Sequence, residues 1–447
     1  MNQPSDPKGR VVRRDSRVRI IDRTTEENDR RSFLRTFAAY GVALPAAHLF
    51  SGGRPSVSAD DGAFAPAADP PGDARSTRVV RDFESPRLEA VRLLREAAEI
   101  EHSLMLQYLY AAYSLKPAYQ TLIGTGAPNA NDLLGVSIQE MQHLMDVNRL
   151  LVELGASPVF VRQDFPFEPD VYPFALNLEP LSRKSLAKYT FCEAPARALD
   201  KAYAQSADDA RFIDAMERVL ADEGRTNHVG SLYDAVIATV REVARQPGEL
   251  RSSDKWIERL TDIKSEGEEG HFTFFKSLFM ATHKAFENKG DVWRLSPNDE
   301  RYPALPLPTN PSAYIGADNQ IADPTLRNIA WLGNLNYWLC LMLLDVGYRS
   351  DSAAHRNAAR TVMMGPFWAV VRFLPSRGTG MPFDQLSMGY SAGIDPRQNA
   401  RFIASLVSEI EIWESRLKND LPSDYPGGVA KQTVDLTSSG RPGSARQ

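Results

Sequence analysis

Two short steps along the chain pair a carboxylate with an imidazole three residues later: Glu140-Met141-Gln142-His143 and Glu268-Glu269-Gly270-His271. On an α-helix, positions three apart lie side by side, so each Glu and His could reach one shared ligand. A third carboxylate, Glu101, stands inside an apolar run, where a solvated charge is not expected. Two Glu-x-x-His steps on facing helices, with single carboxylates from two more, can hold a pair of metal ions in a four-helix bundle. Hard oxygen donors with two imidazoles suit iron, or manganese, better than a soft metal. One such step alone more often marks a solvated helix face; two on separate helices, with a third Glu in an apolar stripe, favour a metal site. The fourth carboxylate is less plain. The helix that should supply it reads His228-Val229-Gly230-Ser231-Leu232-Tyr233-Asp234, with no glutamate on the stripe. His228 and Asp234 flank Ser231 at three residues on either side, so either could serve from the same face. Glu223 is a more distant candidate.

The elements that must position these groups are helical throughout. The first opens at Ser85-Pro86, a cap followed by proline at the first helical position, and ends at Lys116-Pro117. Leu93, Leu94, Ala97, Glu101, Leu104, Met105, Tyr108 and Leu109 share one side of it, and Tyr108 reads as core rather than as a donor to Glu101. The second opens near Asn131-Asp132 and ends at Gly155, with Leu134, Ile138, Met141, Val147, Leu150 and Leu151 as its stripe. Helices are then expected over 183–205, 207–222, about 226–246 and about 254–287. After a Pro-rich connector from Pro303 to Pro311, further helices are expected from Asp323-Pro324, Asp351 and Asp395-Pro396, and Gly365-Pro366 should kink or split its helix. The fold class is therefore all-α: a four-helix bundle over 81–290 with a helical extension over 300–420. Residues 424–447, rich in Gly, Ser and Pro, read as a disordered tail.

Composition narrows the function classes. The 447 residues carry a net charge of −5 with 43% hydrophobic residues, too balanced and too apolar for a disordered chain and without a whole-chain footprint for nucleic acid. No run of 18 apolar residues suggests a permanent membrane span. The charge is unevenly distributed, however. Residues 1–59 hold 11 Lys and Arg against 6 Asp and Glu, and the remaining 388 hold 41 against 51. The basic front contains Arg30-Arg31, then Phe33-Leu34, an apolar stretch from Thr36 to Phe50, and Val57-Ser58-Ala59 as a small-x-small cleavage site, with Ala63-Phe64-Ala65 as a second. That order resembles a twin-arginine export signal, which implies the twin-arginine export machinery as a partner and a periplasmic or secreted protein. Such signals carry folded proteins, commonly with a cofactor already loaded. Residues 60–80 read as a flexible linker. Cys340, in the apolar run Trp338-Leu339-Cys340-Leu341-Met342, reads as a buried thiol, with a disulfide to Cys192 after export as the alternative.

The stretches Ile100-Glu101-His102-Ser103, Gln107 to Pro117, and Val136 to Leu144 continuing through Asn148 to Pro158 resemble the iminophenyl-pyruvate dimer synthase family, over roughly 87–287 and more loosely 320–415. The looser part includes the Gly-x-Gly-Met-Pro-Phe loop at 378–383. The resemblance implies a ferritin-like bundle and the coupling of imines derived from oxidised aromatic amino acids. It implies ligand-like roles for Glu101, Glu140 and His143. Gly230 and Tyr233 match the family's third-helix motif, whereas Ser231 stands where that family usually has Glu. The expected protein is thus an exported ferritin-like metalloprotein. Glu101, Glu140, His143, Glu268 and His271 would hold one or two irons, with His228 or Asp234 replacing the missing carboxylate. Its expected activity is oxidoreduction of a small aromatic or amino-acid-derived substrate, in a possible homo-oligomer. A metal store and a metal-free partner subunit are the alternatives.

Overall fold

The computed structural model describes residues 79–162, 174–220, 229–386 and 395–438. Residues 1–59, read above as an export signal, most of 60–80, read as a linker, and His228 and Glu223 lie outside them. Helix α1 (Pro86–Tyr113) begins where the Ser85-Pro86 signal places it, Ser85 Oγ accepting from Leu88 N–H. Helix α2 (Leu133–Glu153) is capped by Asp132, whose carboxylate accepts from Gly135 N–H at 2.6 Å. A cap of this kind typically stabilises a helix by ~1 kcal/mol. Next come α3 (Arg183–Glu193), α4 (Ala207–Val219), α5 (Val229–Ala244) and α6 (Ser253–Ser265). A single π-turn, Glu266–His271, joins α6 to α7 (Phe272–Phe279).

Helix α1 packs on α2 and α5, α5 on α6, and α3 on α7, which makes the bundle. The long helix expected over 183–205 stops at Glu193, because Ala194 precedes Pro195 and adopts extended backbone (ψ 130°). The one expected over 254–287 is interrupted by the π-turn and ends at Phe279.

The extension holds α8 (Pro324–Arg349), α9 (Ala353–Val362), α10 (Trp368–Phe373), α11 (Pro396–Arg416) and α12 (Val429–Ser438). Helix α12 corrects the expectation of a wholly disordered tail. Gly365-Pro366 does split its helix, at a π-turn between α9 and α10 with Gly365 at φ −103°, ψ −106°. Helix α8 is long and apolar enough to cross a membrane, but 89% of its most apolar window is buried within the fold, as befits a core helix. Both cysteines are free and buried.

Helix α1 lies between the two parts. Leu93, Leu104 and Tyr108 belong to the bundle core, while Met105, Leu106, Leu109 and Tyr110 join the core built around α8. A helix apolar nearly all round is one buried on all sides. Two contacts fix it against the extension. The His102 ring, fully buried, has its Nε2 2.7 Å from the Tyr337 hydroxyl, and burial together with nearby Arg162 pushes it down to about 3, so it is neutral. Gly380 lies so close to the Tyr110 ring that an added Cβ would sit 2.2 Å from it.

Candidate metal centre

Four of the residues singled out by spacing converge in the bundle interior. Glu101 from α1, Glu140 and His143 from α2, and His271 from the end of the π-turn are all buried. They are joined by Glu193, the last residue of α3, also buried. The side chains form two groups that share Glu140: Glu101, Glu140 and His143, and Glu140, Glu193 and His271, each with ligand atoms within 4.8 Å of one another. His143 Nδ1 is 2.9 Å from Glu140 Oε2 and 3.5 Å from Glu101 Oε2. His271 Nδ1 is 3.0 Å from Glu140 Oε1 and 3.7 Å from Glu193 Oε2. The two imidazoles lie 6.0 Å apart, centre to centre.

Glu193 supplies the carboxylate that was sought near Ser231. A sequence signal for it exists: with Leu186 and Tyr189 it makes an i, i+3, i+7 stripe on α3. Asp234 is not part of the centre. Its side chain is 61% exposed and pairs with Lys264 at 2.7 Å, because its position on α5 points it to the surface. Glu268 lines the small cavity beside the cluster but belongs to neither group, its Oε1 lying 3.7 Å from Lys264 Nζ. The π-turn is the reason: with i→i+5 bonding, three residues no longer bring a Glu beneath its His. Glu266, five before His271, is instead the residue of this turn whose carboxylate reaches His143, with Oε2 3.1 Å from Nε2.

Two tyrosines hold the outer carboxylates. The Tyr233 hydroxyl donates to Glu101 Oε1, and the Tyr108 hydroxyl donates to Glu193 Oε1 at 2.5 Å. Tyr108 is core as well, edge-on to Tyr189 with ring centres 4.9 Å apart. What remains fits cations. Glu101 Oε2, Glu140 Oε1 and His271 Nδ1 are sealed from solvent without a properly directed hydrogen bond from the protein. Buried polar atoms are seldom left so. Once protons leave Glu101 and the two imidazoles, the three buried carboxylates carry negative charge that divalent ions would neutralise.

Electrostatics without metal follows from this crowding. Burial, then repulsion from Glu140, pushes Glu101 up to about 8. Burial works against charge on His271, but Glu140 and Glu193 outweigh it and raise the ring to about 10. His143 is raised as well, Glu140, Glu101 and Glu266 overcoming burial. Glu140 is lowered because two imidazoliums outweigh its burial. At pH 7 Glu101, His143 and His271 therefore each carry a proton that a metal must displace. A carboxyl or imidazole raised in the fold stabilises the metal-free protein at low pH, and that contribution fades as pH climbs from the unfolded value to the folded one. The two effects act in one direction. The rise in melting temperature caused by manganous ion should widen steadily from pH 6 to pH 9, as scanning calorimetry with and without metal would show. A constant or shrinking difference would contradict the assignment.

The turn that carries His271 leaves no room for a larger residue. A Cβ on Gly267 would lie 2.7 Å from Glu193 Oε2. Gly267→Ala should therefore push Glu193 off its position and lower metal content, with little change in helix content by circular dichroism.

A family model for ferritin-like proteins matches residues 94–282. The bundle is a ferritin-like domain. The resemblance read from α1 and α2 is borne out by two curated relatives of that family, both at modest identity. Dichlorochromopyrrolate synthase from Lentzea aerocolonigenes is 27% identical over 343 residues, covering 63% of this chain and 34% of the relative. The 2-imino-3-(indol-3-yl)propanoate dimerase of Chromobacterium violaceum is 33% identical over 143 residues, covering 25% of this chain and 14% of the relative. The chain thus spans about a third or less of the length of these relatives. A solved ferritin-like protein from Caulobacter vibrioides has a TM-score of 0.43 at 15% identity, covering 68% of this chain and 100% of that one. In the ferritin-like domain Glu101, Glu140, His143, Glu193 and His271 are the residues placed to hold metal.

Proposed function

We propose that the protein is an exported, iron-dependent oxidoreductase acting on a small aromatic or amino-acid-derived molecule. The observation that carries the metal reading is the pair of Glu/His groups sharing Glu140 inside a ferritin-like domain. Carboxylates with imidazoles favour iron, with manganese as the near alternative. The substrate class rests on the relatives, one of which is named for dimerising an indole-bearing 2-imino acid. Export rests on the order of Arg30-Arg31, Phe33-Leu34 and the small residues after them.

Bound iron would supply one-electron redox chemistry. The chain supplies the rest of the setting. Tyr233 and Tyr108 orient Glu101 and Glu193 by hydrogen bonds, and Leu104, Val229 and Ile263 wall the adjoining cavity with hydrocarbon. That cavity is about 20 Å³, room for a water or a molecule of similar size. An aromatic substrate would have to displace part of its wall, among which are Lys264, Gly267 and Glu268. The narrow space favours one second reading, a non-catalytic metal store.

The experiment is to purify the exported chain, determine bound metal per protomer, and follow oxygen uptake with aromatic 2-imino acids released in place by an amino-acid oxidase, against an oxidase-only control. Metal together with substrate-dependent extra uptake supports the enzyme. Metal without it leaves the store, and a metal-free chain from iron-replete cells defeats both.

A further inference from the structure

Behind the two imidazoles, on the side away from the shared carboxylate, runs a continuous line of hydrogen bonds. His271 Nε2 is 3.2 Å from Gln139 Oε1. Gln139 Nε2 donates to Glu266 Oε2 at 3.1 Å. The same Glu266 oxygen is 3.1 Å from His143 Nε2. Glu266 is further tied to Arg259, whose Nη1 is 3.8 Å from Oε1 and whose Nε donates to Asp146 Oδ2 at 2.5 Å. Resting on the metal-centre reading above, we propose that Gln139 and Glu266 are positioning residues that fix both histidines with hydrogen on Nε2, so that both Nδ1 lone pairs face the metals.

Donor and acceptor chemistry carries the step. An ionised carboxylate can only accept, so Glu266 must receive a hydrogen from each neighbour. The Gln139 amide therefore presents its NH2 to Glu266, and its carbonyl is left facing His271. That carbonyl can only accept, so His271 carries its hydrogen on Nε2. His143 carries its hydrogen on Nε2 for the same reason, by facing Glu266 directly. Both Nδ1 atoms are then the ligand atoms, and both point at Glu140. Arg259 beside Glu266 favours the ionised state on which the sequence of bonds depends.

The arrangement is reciprocal between elements. Helix α2 supplies His143 as a ligand and Gln139 to orient the other histidine; the π-turn supplies His271 as a ligand and Glu266 to orient the other. The π-turn is what places residues five apart, Glu266 and His271, where they can serve in this way. A regular helical turn would offer Glu268 instead. The two half-sites are therefore linked in two places, in front through Glu140 and behind through Gln139 and Glu266.

The test is an anaerobic equilibrium titration of the purified full chain with ferrous ion. It compares wild type with Gln139→Leu, Glu266→Leu and Glu266→Gln, with thermal melts of the metal-free proteins as a folding control. Loss of an orienting partner behind a metal-bound histidine typically weakens affinity roughly 10–100-fold. Gln139→Leu should show that loss at one binding step, the one served by His271, while the other keeps its wild-type affinity. Glu266→Leu should weaken both steps, since it strips His143 of its acceptor and Gln139 of its anchor. Glu266→Gln keeps an acceptor for both neighbours and should recover most of the affinity. A merely structural role would move the melts, not one binding step selectively. Wild-type titration at both steps by Gln139→Leu overturns the inference alone. A wild-type chain that takes up no ferrous ion overturns the metal-centre reading itself. If Gln139→Leu does not fold, the contrast between Glu266→Leu and Glu266→Gln decides, and equal losses in the two count against the inference.

Discussion

Replacing Glu140 with alanine is expected to strip the protein of metal completely. Both Glu/His groups contain this carboxylate, its two oxygens lying 2.9 Å from His143 Nδ1 and 3.0 Å from His271 Nδ1. Any other single deletion leaves one group intact. Glu101→Ala removes a ligand from the His143 side alone, and Glu193→Ala from the His271 side alone. Metal analysis should therefore give below about a tenth of the wild-type content for Glu140→Ala and roughly half for each of the others, taking one ion per group. The substitution also removes the anion between two buried imidazoles. With charge no longer balanced there, His143 and His271 should deprotonate, and the pH dependence of metal-free stability should flatten. Retention of near-normal metal by Glu140→Ala would show that the ions, if bound, sit elsewhere.

The largest stability loss is expected far from the candidate metal centre, at Asp384. This buried residue follows the Gly-x-Gly-Met-Pro-Phe loop and gathers three donors: Ser312 Oγ, Ala313 N–H and Asn334 Nδ2, each at 2.8 Å. Its own carbonyl accepts from Trp338 Nε1 at 2.8 Å, and its N–H reaches Asn334 Oδ1 at 3.2 Å. Asp384→Ala would leave the three donors buried without an acceptor. Hydrogen bonds to charged groups are worth about 1.5–3 kcal/mol apiece, and shared relaxation brings the expected total to roughly 3–5 kcal/mol. For a domain of this size that is a fall in melting temperature on the order of 5–15 °C. Asp384→Asn, with one carbonyl oxygen still accepting, should lose about half as much. A drop of only a degree or two in Asp384→Ala would mean that water replaces the carboxylate.

The helices and the inner half of the centre were legible because local rules held there. Ser85-Pro86, Asp132 and Asp323-Pro324 are caps whose chemistry does not depend on tertiary context, and all three start helices as read. Glu101, Glu140 and His143 lie on regular α-helix, where spacing translates directly into a shared face. Glu193 was missed for a different reason. The fourth carboxylate was sought on the helix of Ser231, whereas the fold brings in a short helix whose end at Ala194-Pro195 puts Glu193 inside. Glu266 had no spacing signal at all, since only a π-turn relates positions 266 and 271 in this way. Asp234 shared the stripe geometry with its neighbours on paper, yet Lys264 holds it at the surface.

The contact between His102 and Tyr337, with Gly380 pressed against Tyr110, bears on where the functional unit ends. Glu101 precedes His102 on α1, so its direction is set by how far that helix is turned about its own axis. The bundle side sets the turn through Tyr233 and the extension side sets it through Tyr337, like two hands on one shaft. The stretch matched by the ferritin-like family ends at residue 282, before either extension contact begins. A fragment cut there would keep every residue of the two Glu/His groups and lose the grip that aims one of them. Transplanting this centre into another scaffold would thus require carrying 330–384 along with it, although no metal ligand lies in that segment.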